Sequence, residues 1–572
     1  MKKNALALVV LLLGLSLVLT PAAFGGGAKG KNSKFGLSAN AFRKIADEGF
    51  ADFGGDSANS YSWGVGWFKN DLYVGTNRHH LWSLMLGLGA SFGDLGGDLL
   101  AGLLPDPPLD PTFGSLALAN DMAGQIWRYH DKIWTKVYQS PVYRFDGASY
   151  EVPGYGKVVI PEGYYPKAYG YRTIGTFKKY VYACGVGSWM PPMPYTTILR
   201  SRSGNPDTWE DVTGALATTT NVRGFVEWKG KLFIAASLEG PMPAIGGGSV
   251  VFASSDPGKK PWKEVSEVGF GNPQNVEIYY LTVFNNHLYA STVNYDTGFE
   301  VWKTDGTTDC SGKYVWTNVM KNGGGDTWNQ FGMHMEPFGK YLYIGTAVGA
   351  GTVRKNGEMV GSRPFEVFRV DKYDNVELIV GSRMAYDPIE GGPSPRIPKS
   401  GWPAGFGNPF NVYVWKMGVF DGWLYLGTLD LCSMLLKAVE EDPSSLTTML
   451  STYVSTYPAD DLNFTDDINS ALKDGVLSNK LISSVAGKLY DRFGGGDIWK
   501  TKDGRTWIPV TLNGLGNPKN YGFRQIVPSG DDTLAIGTAN PFTGKENGGC
   551  EAWLASKHRF KRYRNHHNCN RR

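Results

Sequence analysis

Cysteine is scarce in this chain. Its 572 residues hold five, Cys184, Cys310, Cys432, Cys550 and Cys569. The number is small and odd, which excludes a fold held together by disulfides. Cys550 and Cys569 are the most plausible pair, and Cys184 lies in an apolar run that suits a buried thiol. No C-x-x-C or C-x-x-C-H occurs, so neither a dithiol redox site nor haem attachment is expected. Histidine numbers eight, without H-E-x-x-H or Cys₂His₂ spacing, so no zinc site is expected. Walker A, dinucleotide-binding and G-x-S-x-G fingerprints are absent too, and no cofactor is predicted. Only 19% of residues are charged and the net charge is +4, too little for a nucleic-acid partner. Part of it sits in a basic tail, 561–572, read as solvated, with attachment to an acidic polymer as the sharper alternative. The acidic run "YPADDLNFTDDINSALKD" (457–474) offers oxygens for Ca²⁺ but lacks the spacing of an EF-hand, and reads as a solvated run.

Long apolar runs are also missing, with one exception. Lys2 and Lys3 precede "ALALVVLLLGLSLVLT", and small residues follow. Residues 1–25 therefore read as a cleaved signal peptide, with an uncleaved anchor as the alternative. No cysteine follows the apolar run, which argues against a lipoprotein. No other segment reaches the roughly 20 apolar residues of a spanning helix. The expected location is outside the cytoplasm: periplasmic, extracellular or on the cell surface, without a transmembrane anchor after cleavage.

What is abundant is glycine (75), tyrosine (30), phenylalanine (28) and tryptophan (18). This is the composition of short aromatic strands joined by tight turns. One pattern recurs: an apolar strand, a polar turn, then a strand ending in small residues. The copies are "WGVGWFKNDLYVGT" (63–76), "RTIGTFKKYVYACG" (172–185), "RGFVEWKGKLFIAAS" (223–237), "YLTVFNNHLYAST" (280–292), "MHMEPFGKYLYIGT" (333–346), "WKMGVFDGWLYLGT" (415–428) and "RQIVPSGDDTLAIGT" (524–538). A second hairpin follows each of the first six, as in "DIWKTKDGRTWIPV" (497–510). Ala236, Ser291 and Thr346 stand at equal intervals of 55 residues. Four strands repeated at about 40–50 residues are the mark of a β-propeller.

The expected fold is all-β: a seven-bladed propeller over 42–560, with six blades as the alternative. A linker, 26–41, precedes it. The seventh copy ends one strand short, while "FRKIADEGFADFGGDSANSYSW" (42–63) aligns with the outer strand and connector of other repeats. The N-terminus is therefore expected to close the last blade, which removes an open sheet edge. Two inserts, 77–124 and 429–495, interrupt the period between second and third strands, the second with helical spacing. "GFGNPQN" (269–275), "GFGNPFN" (405–411) and "GLGNPKN" (514–520) join an outer strand to the next inner strand, a structural role.

"WKTKDGRTW" (499–507), "WKTDGT" (302–307) and "SSDPGKKPW" (254–262) resemble the Asp-box turns of sialidases and other secreted propellers, although Asp503 and Trp507 stand one residue closer than usual. The chain also resembles a family of exported bacterial propellers whose blades read "LYxGT", "EIWR", "DG..W..V" and "GFGNP". That resemblance implies the fold and a structural role for the Asp boxes; it brings no activity.

Function must then come from the channel that inner strands surround. Aligned on the turn aromatic, the residues five places earlier are Trp63, Arg172, Arg223, Tyr279, Met333, Trp415 and Arg524. One place later come Gly64, Thr173, Gly224, Tyr280, His334, Lys416 and Gln525. Arginine is costly to bury unpaired, and its fork suits carboxylate, sulfate or phosphate. Arg172, Arg223, Arg524, Trp63, Tyr279, Trp415, His334 and Lys416 are the candidate ligand-binding set, for a small anion, a glycan or a partner protein. The competing reading pairs each arginine with Glu227, Glu277 or Glu336, or stacks it on an aromatic, leaving an envelope scaffold. A sialidase-like hydrolase would use the three arginines for a substrate carboxylate, with Tyr279 or Tyr280 as nucleophile and Glu277 as base. No Arg-Ile-Pro stands in the chain to support it. A polysaccharide lyase is a further alternative. His334 and Glu336 share a strand face and form a candidate acid–base pair.

Overall fold

A computed structural model describes residues 36–80, 112, 114–152, 156–186, 196–219, 221–238, 248–348, 363–388, 396–434, 487, 489–530, 532–544 and 546–557. The predicted signal segment, most of both inserts, the basic tail with Cys569 and the acidic run 457–474 lie outside these residues.

Local chemistry sets the hairpins. The turn residues Lys69-Asn70, Asp131-Lys132 and Asn285-Asn286 all have positive φ, as do Lys229-Gly230 and Asp421-Gly422. Two consecutive left-handed residues match the right-handed twist of the flanking strands. In blade 4 the strands Glu277–Phe284, His287–Val293, Val301–Thr304 and Thr317–Met320 pair antiparallel in that order. Among the described residues the pairings form seven such four-stranded units. Their inner strands are Asn59–Phe68, Gly170–Phe177, Asn221–Trp228, Glu277–Phe284, Phe331–Phe338, Asn411–Phe420 and Gly522–Ser529. The chain is a β-propeller, and its ring is closed by Phe42–Ala46, which pairs antiparallel with Ala552–Ser556.

The core is divided among the blade interfaces. Each pair of neighbouring blades shares one apolar cluster, such as Phe284, Tyr289 and Val301 of blade 4 with Met335, Leu342 and Phe368 of blade 5. Blades 7 and 1 share another through Leu554, Ala535, Val65 and Trp127. Fully burying one such aliphatic or aromatic side chain contributes about 1.5–3 kcal/mol. Cys184 is buried in the cluster of blades 2 and 3, and Cys550 is buried without a disulfide among the described residues.

The repeated connector is a hydrogen-bonded clasp. Gly269 and Phe270 have φ of 55° and 58°, and Gly405 and Phe406 repeat the pair at 59° and 57°. The left-handed phenylalanine packs its ring on the next blade's tryptophan: Phe270 on Trp302 at 5.3 Å, Phe406 on Trp499 at 4.3 Å and Phe50 on Trp127 at 5.0 Å. The motif's final asparagine then holds the turn. Asn275 Nδ2 donates to the Gly269 carbonyl at 3.0 Å and to Glu300 Oε2 at 2.7 Å. Glu300 also accepts from Asn272 at 2.9 Å and from the Trp302 indole at 2.8 Å. Blade 7 repeats this with Asn520, Asn517, Glu551 and Trp553. One buried glutamate thus satisfies both asparagines of the Asn-Pro-x-Asn sequence, at charge-assisted bonds of about 1.5–3 kcal/mol each.

The structure shifts some sequence boundaries. The second strands of blades 1 and 6 run to Arg78 and Asp430, inside the spans assigned to the inserts. Two small hairpins within 142–166, Val142–Phe145 with Gly163–Pro166 and Ala148–Val152 with Gly156–Ile160, lie between blades 1 and 2 and were not expected. They carry no copy of the repeat motif.

Candidate functional site

The inner strands share one irregularity. In six of the seven, a residue is skipped in the pairing with the second strand: Trp63, Arg172, Tyr279, Met333, Trp415 and Arg524. In blade 3 the skip falls on Gly224 and Phe225, so Arg223 keeps its strand partner. A bulge bends the strand and re-aims its side chains. Strict alternation would send two consecutive residues to opposite sides of the strand. The bulge instead lets both rows found in the sequence, one residue apart, contribute to the same place.

That place is a cavity of about 430 Å³ on the propeller axis, lined from all seven inner strands. Arg172, Arg223, Arg524, Tyr279, Trp415, His334 and Lys416 line it, with Tyr280, Glu336 and Gln525. Trp63, the eighth residue expected there, is not in the lining; it supports Arg172, whose guanidinium carbon lies 4.4 Å from the ring centroid. At the end where the inner strands begin, residues of several blades, among them Tyr61, Trp63, Met333, Val412, Trp415 and Tyr521, form one buried apolar cluster.

The three arginines differ in their partners. Arg223 Nε donates to Glu277 Oε1 at 2.7 Å, and its guanidinium stacks on Tyr279 at 4.0 Å. Arg172 donates to Asn221 Oδ1, and Asn221 donates to Glu277, which joins the two arginines in one network. Glu277 is held by Arg223 and Asn221 and makes no hydrogen bond to Tyr279 or Tyr280 among the described residues. Arg524 lies over Trp415 at 5.5 Å. Among the described residues it has no carboxylate and no hydrogen-bond partner, although it is 9% exposed. Burial lowers the Arg524 pKa to about 10, and the charge of Arg223 pushes the same way. Burial, with repulsion from Arg223, also holds Arg172 well below the usual arginine range.

A second group occupies the same cavity. Lys416 Nζ donates to Tyr280 Oη at 3.0 Å. Burial in the channel drops Lys416 to about 8, with Glu336 opposing the shift. Burial likewise lifts Glu336 to about 7, against the pull of Lys416. Glu336 pairs with none of the arginines, but each arginine packs on an aromatic ring and Arg223 also pairs with Glu277, as the competing reading of the sequence has it. His334 does not bond to Glu336, so the expected acid–base pair is absent. Instead, His334 Nδ1 accepts from the Met417 backbone N–H at 3.3 Å. Its proton therefore belongs on Nε2, which has no acceptor among the described residues. Burial, then the charges of Lys416 and Arg524, keep this imidazole neutral. Four cations thus stand with three carboxylates, Glu277 bonded to Arg223 and Glu227 and Glu336 in the lining, and two donors point at no acceptor among the described residues. Among the described residues no group of three or more His, Cys, Asp or Glu side chains is placed to hold a metal ion.

No protein-family profile matches the chain, and no curated protein matches it. Solved structures resemble it distantly. A GH93 α-L-arabinofuranosidase of Fusarium graminearum, solved with arabinobiose, is 12% identical over 65% of this chain and 88% of its own, at a TM-score of 0.28. The Bombyx mori GH32 β-fructofuranosidase BmSUC1 is 9% identical over 58% and 63%, at 0.27. A puromycin-hydrolysing peptidase of Mycobacterium tuberculosis is 11% identical over 68% and 45%, at 0.30. This chain spans less than half the length of that peptidase and of a Bacteroides ovatus GH43B enzyme, of which it covers 40%. Likeness at this level carries no argument about substrate or residues.

Proposed function

We propose that the axial cavity binds a compact anionic ligand of the carboxylate-bearing, glycan-like class. The observation that carries this reading is Arg524. A buried guanidinium without a counterion costs several kcal/mol, and a ligand carboxylate would remove that cost. Arg172 and Arg223 add positive potential, His334 Nε2 offers a further donor, and Trp415 and Tyr279 offer faces for a sugar ring. The buried apolar cluster lies toward one end of the cavity, and the lining extends the other way to Glu227 and Pro528 beside the hairpin turns. The signal-like N-terminus supports action outside the cytoplasm. A purely architectural role accords poorly with an unpaired buried cation.

The test is calorimetric titration of galacturonate and glucuronate oligosaccharides, sulfate and phosphate into the wild type and Arg524→Gln. One charge-assisted contact of about 1.5–3 kcal/mol predicts about a 10- to 100-fold loss of affinity in the variant, with thermal stability raised, since the substitution removes an uncompensated buried charge. Equal affinity in the two proteins, or no binding of any anion, overturns the reading.

A further inference from the structure

The cavity holds more than an anion site requires. Glu336 and Lys416 come from neighbouring inner strands of blades 5 and 6, and both line it. Neither is tied in an ion pair with the other or with a blade residue. Lys416 is oriented through its 3.0 Å bond to Tyr280, and the Tyr280 ring packs on His334 at 4.2 Å. An anion-binding protein has no use for a carboxylate beside its cations, since it repels the ligand. A catalyst has: a carboxylic acid and an amine on one cavity that arginines also line are the parts of a proton-transfer site.

The parts decide which reaction. Glycoside hydrolysis through two carboxylates needs a second free acid across the scissile bond. Glu277 is bound to Arg223 and Asn221, and Glu227, the other lining carboxylate, is exposed. Elimination needs a different set: cations on a substrate carboxylate, a base for the adjacent carbon, and an acid for the leaving oxygen. That set is present. Resting on the anion-binding reading above, we propose that the pocket is the active site of a lyase acting on uronic-acid glycans at a chain end, with Arg524 and Arg172 on the uronate carboxylate, Lys416 as base and Glu336 as acid.

In the step, Lys416 Nζ takes the proton from the carbon bearing the carboxylate. The electron pair released forms a C=C bond to the neighbouring ring carbon, and that carbon's bond to the glycosidic oxygen breaks. Glu336 gives its proton to the departing oxygen. The products are a chain with a new hydroxyl and an unsaturated uronate. No water, oxidant or metal is consumed, and Glu336 and Lys416 exchange the proton to reset. The arginines stabilise the negative charge that gathers on the carboxylate in the transition state. Burial raises the acid to about 7 and lowers the amine to about 8, which brings their proton affinities together and favours the neutral acid–amine form that the step needs. Tyr280, His334 and Arg524 are the other titratable or charged groups that face the pair.

The full-length protein would be incubated with oligogalacturonate, alginate and hyaluronan oligosaccharides, following the ultraviolet absorbance of the conjugated unsaturated uronate. Expected are product from at least one and a bell-shaped pH profile centred between the two pKa values. Lys416→Ala and Glu336→Gln should each lose at least about 100-fold in rate while still binding the oligosaccharide by calorimetry. Glu336→Gln should also lose the alkaline limb of the profile. Binding without unsaturated product overturns the lyase and leaves the anion site standing. New reducing ends without ultraviolet product overturn it in favour of hydrolysis. Full activity in both variants overturns the assignment of acid and base. Absence of binding by any probe overturns the anion site itself.

Discussion

Replacing Asp430 by asparagine and Asp497 by glutamate together is expected to stabilise the protein, whereas each change alone is not. The repeat supplies the comparison. In blades 4 and 7 one glutamate accepts from both motif asparagines, Glu300 from Asn272 and Asn275, Glu551 from Asn517 and Asn520. A further asparagine, Asn294 or Asn540, donates to Oδ1 of Asn275 or Asn520 at 3.1 and 3.3 Å. Blade 6 has Asp497 at the glutamate's place, one methylene shorter. It accepts from Asn411 at 2.7 Å, and Asp430 takes the other asparagine, Asn408, at 2.7 Å. Asp430 therefore compensates for the short arm of Asp497. The exchange leaves Asn411 Oδ1 and Asp497 Oδ1 without partners and places two acids in the interior.

The magnitude follows from burial. Burial lifts Asp497 from 3.8 to about 7, and burial plus the charge of Asp497 drives Asp430 well above the carboxylate range. A folded-state pKa raised above the unfolded one means that stability falls as pH rises between the two values. For Asp497 alone the shift corresponds to roughly 4 kcal/mol by pH 7. Asp430 accepts from Asn408 and, through its other oxygen, from the Cys432 N–H at 2.7 Å; Asp430→Asn alone keeps one oxygen for these two donors, so one of them loses its acceptor, a cost of about 1–3 kcal/mol that offsets the relief. In the double variant the longer carboxylate at position 497 restores an acceptor to Asn408, and the new side-chain amide at position 430 supplies the donor that Asn411 Oδ1 lacks. Urea unfolding of the four proteins at about pH 5 and about pH 8 gives the cycle. A coupling energy of about 1–3 kcal/mol and a smaller loss of stability toward alkaline pH in the double variant are expected. A coupling near zero, or an unchanged pH slope, refutes the compensation.

Asn275→Ala removes the clasp of blade 4 and leaves Glu300 short of a donor; urea unfolding should show a loss of about 2–4 kcal/mol. Gly224→Ala places a methyl group at φ 64°, 2.9 Å from the Leu281 side chain; it should cost about 1–3 kcal/mol and weaken anion binding, because Arg223 is held by that bulge. Phe42→Ala thins the packing of the ring-closing strand against Phe523 and Leu534; a loss of about 3 kcal/mol is expected, and a change below about 0.5 kcal/mol would mean that this strand does not close the ring.

Much of the site was legible once the repeats were aligned, since the rows found by counting from the turn aromatic are the rows that line the cavity. Ring order even carried the stacking. Arg172 follows Trp63, Arg223 precedes Tyr279 and Arg524 follows Trp415, and each arginine packs on that neighbour. The alternation of a regular strand would have argued against using two adjacent rows, and no residue type announces the bulge that reconciles them. The choice of partner was not legible. Glu277, Glu227 and Glu336 looked equivalent, yet one is bound, one is exposed and one is half-buried in the cavity lining without an arginine.

The sequence alone determined the hairpins, the spacing of the blades, the closing strand and the structural nature of the glycine-rich connector. Those properties depend on residues a few places apart, through turn conformations that Asn, Gly and Asp adopt at low cost and through the period of the pleat. The tertiary structure decided the chemistry of the channel. Lys416 and Tyr280 are 136 residues apart and meet at 3.0 Å, and among the described residues no carboxylate pairs with Arg524 although Glu336 lines the same cavity. Charge pairing and proton affinity depend on distance and burial across the ring, which closing the circle creates and no local segment contains.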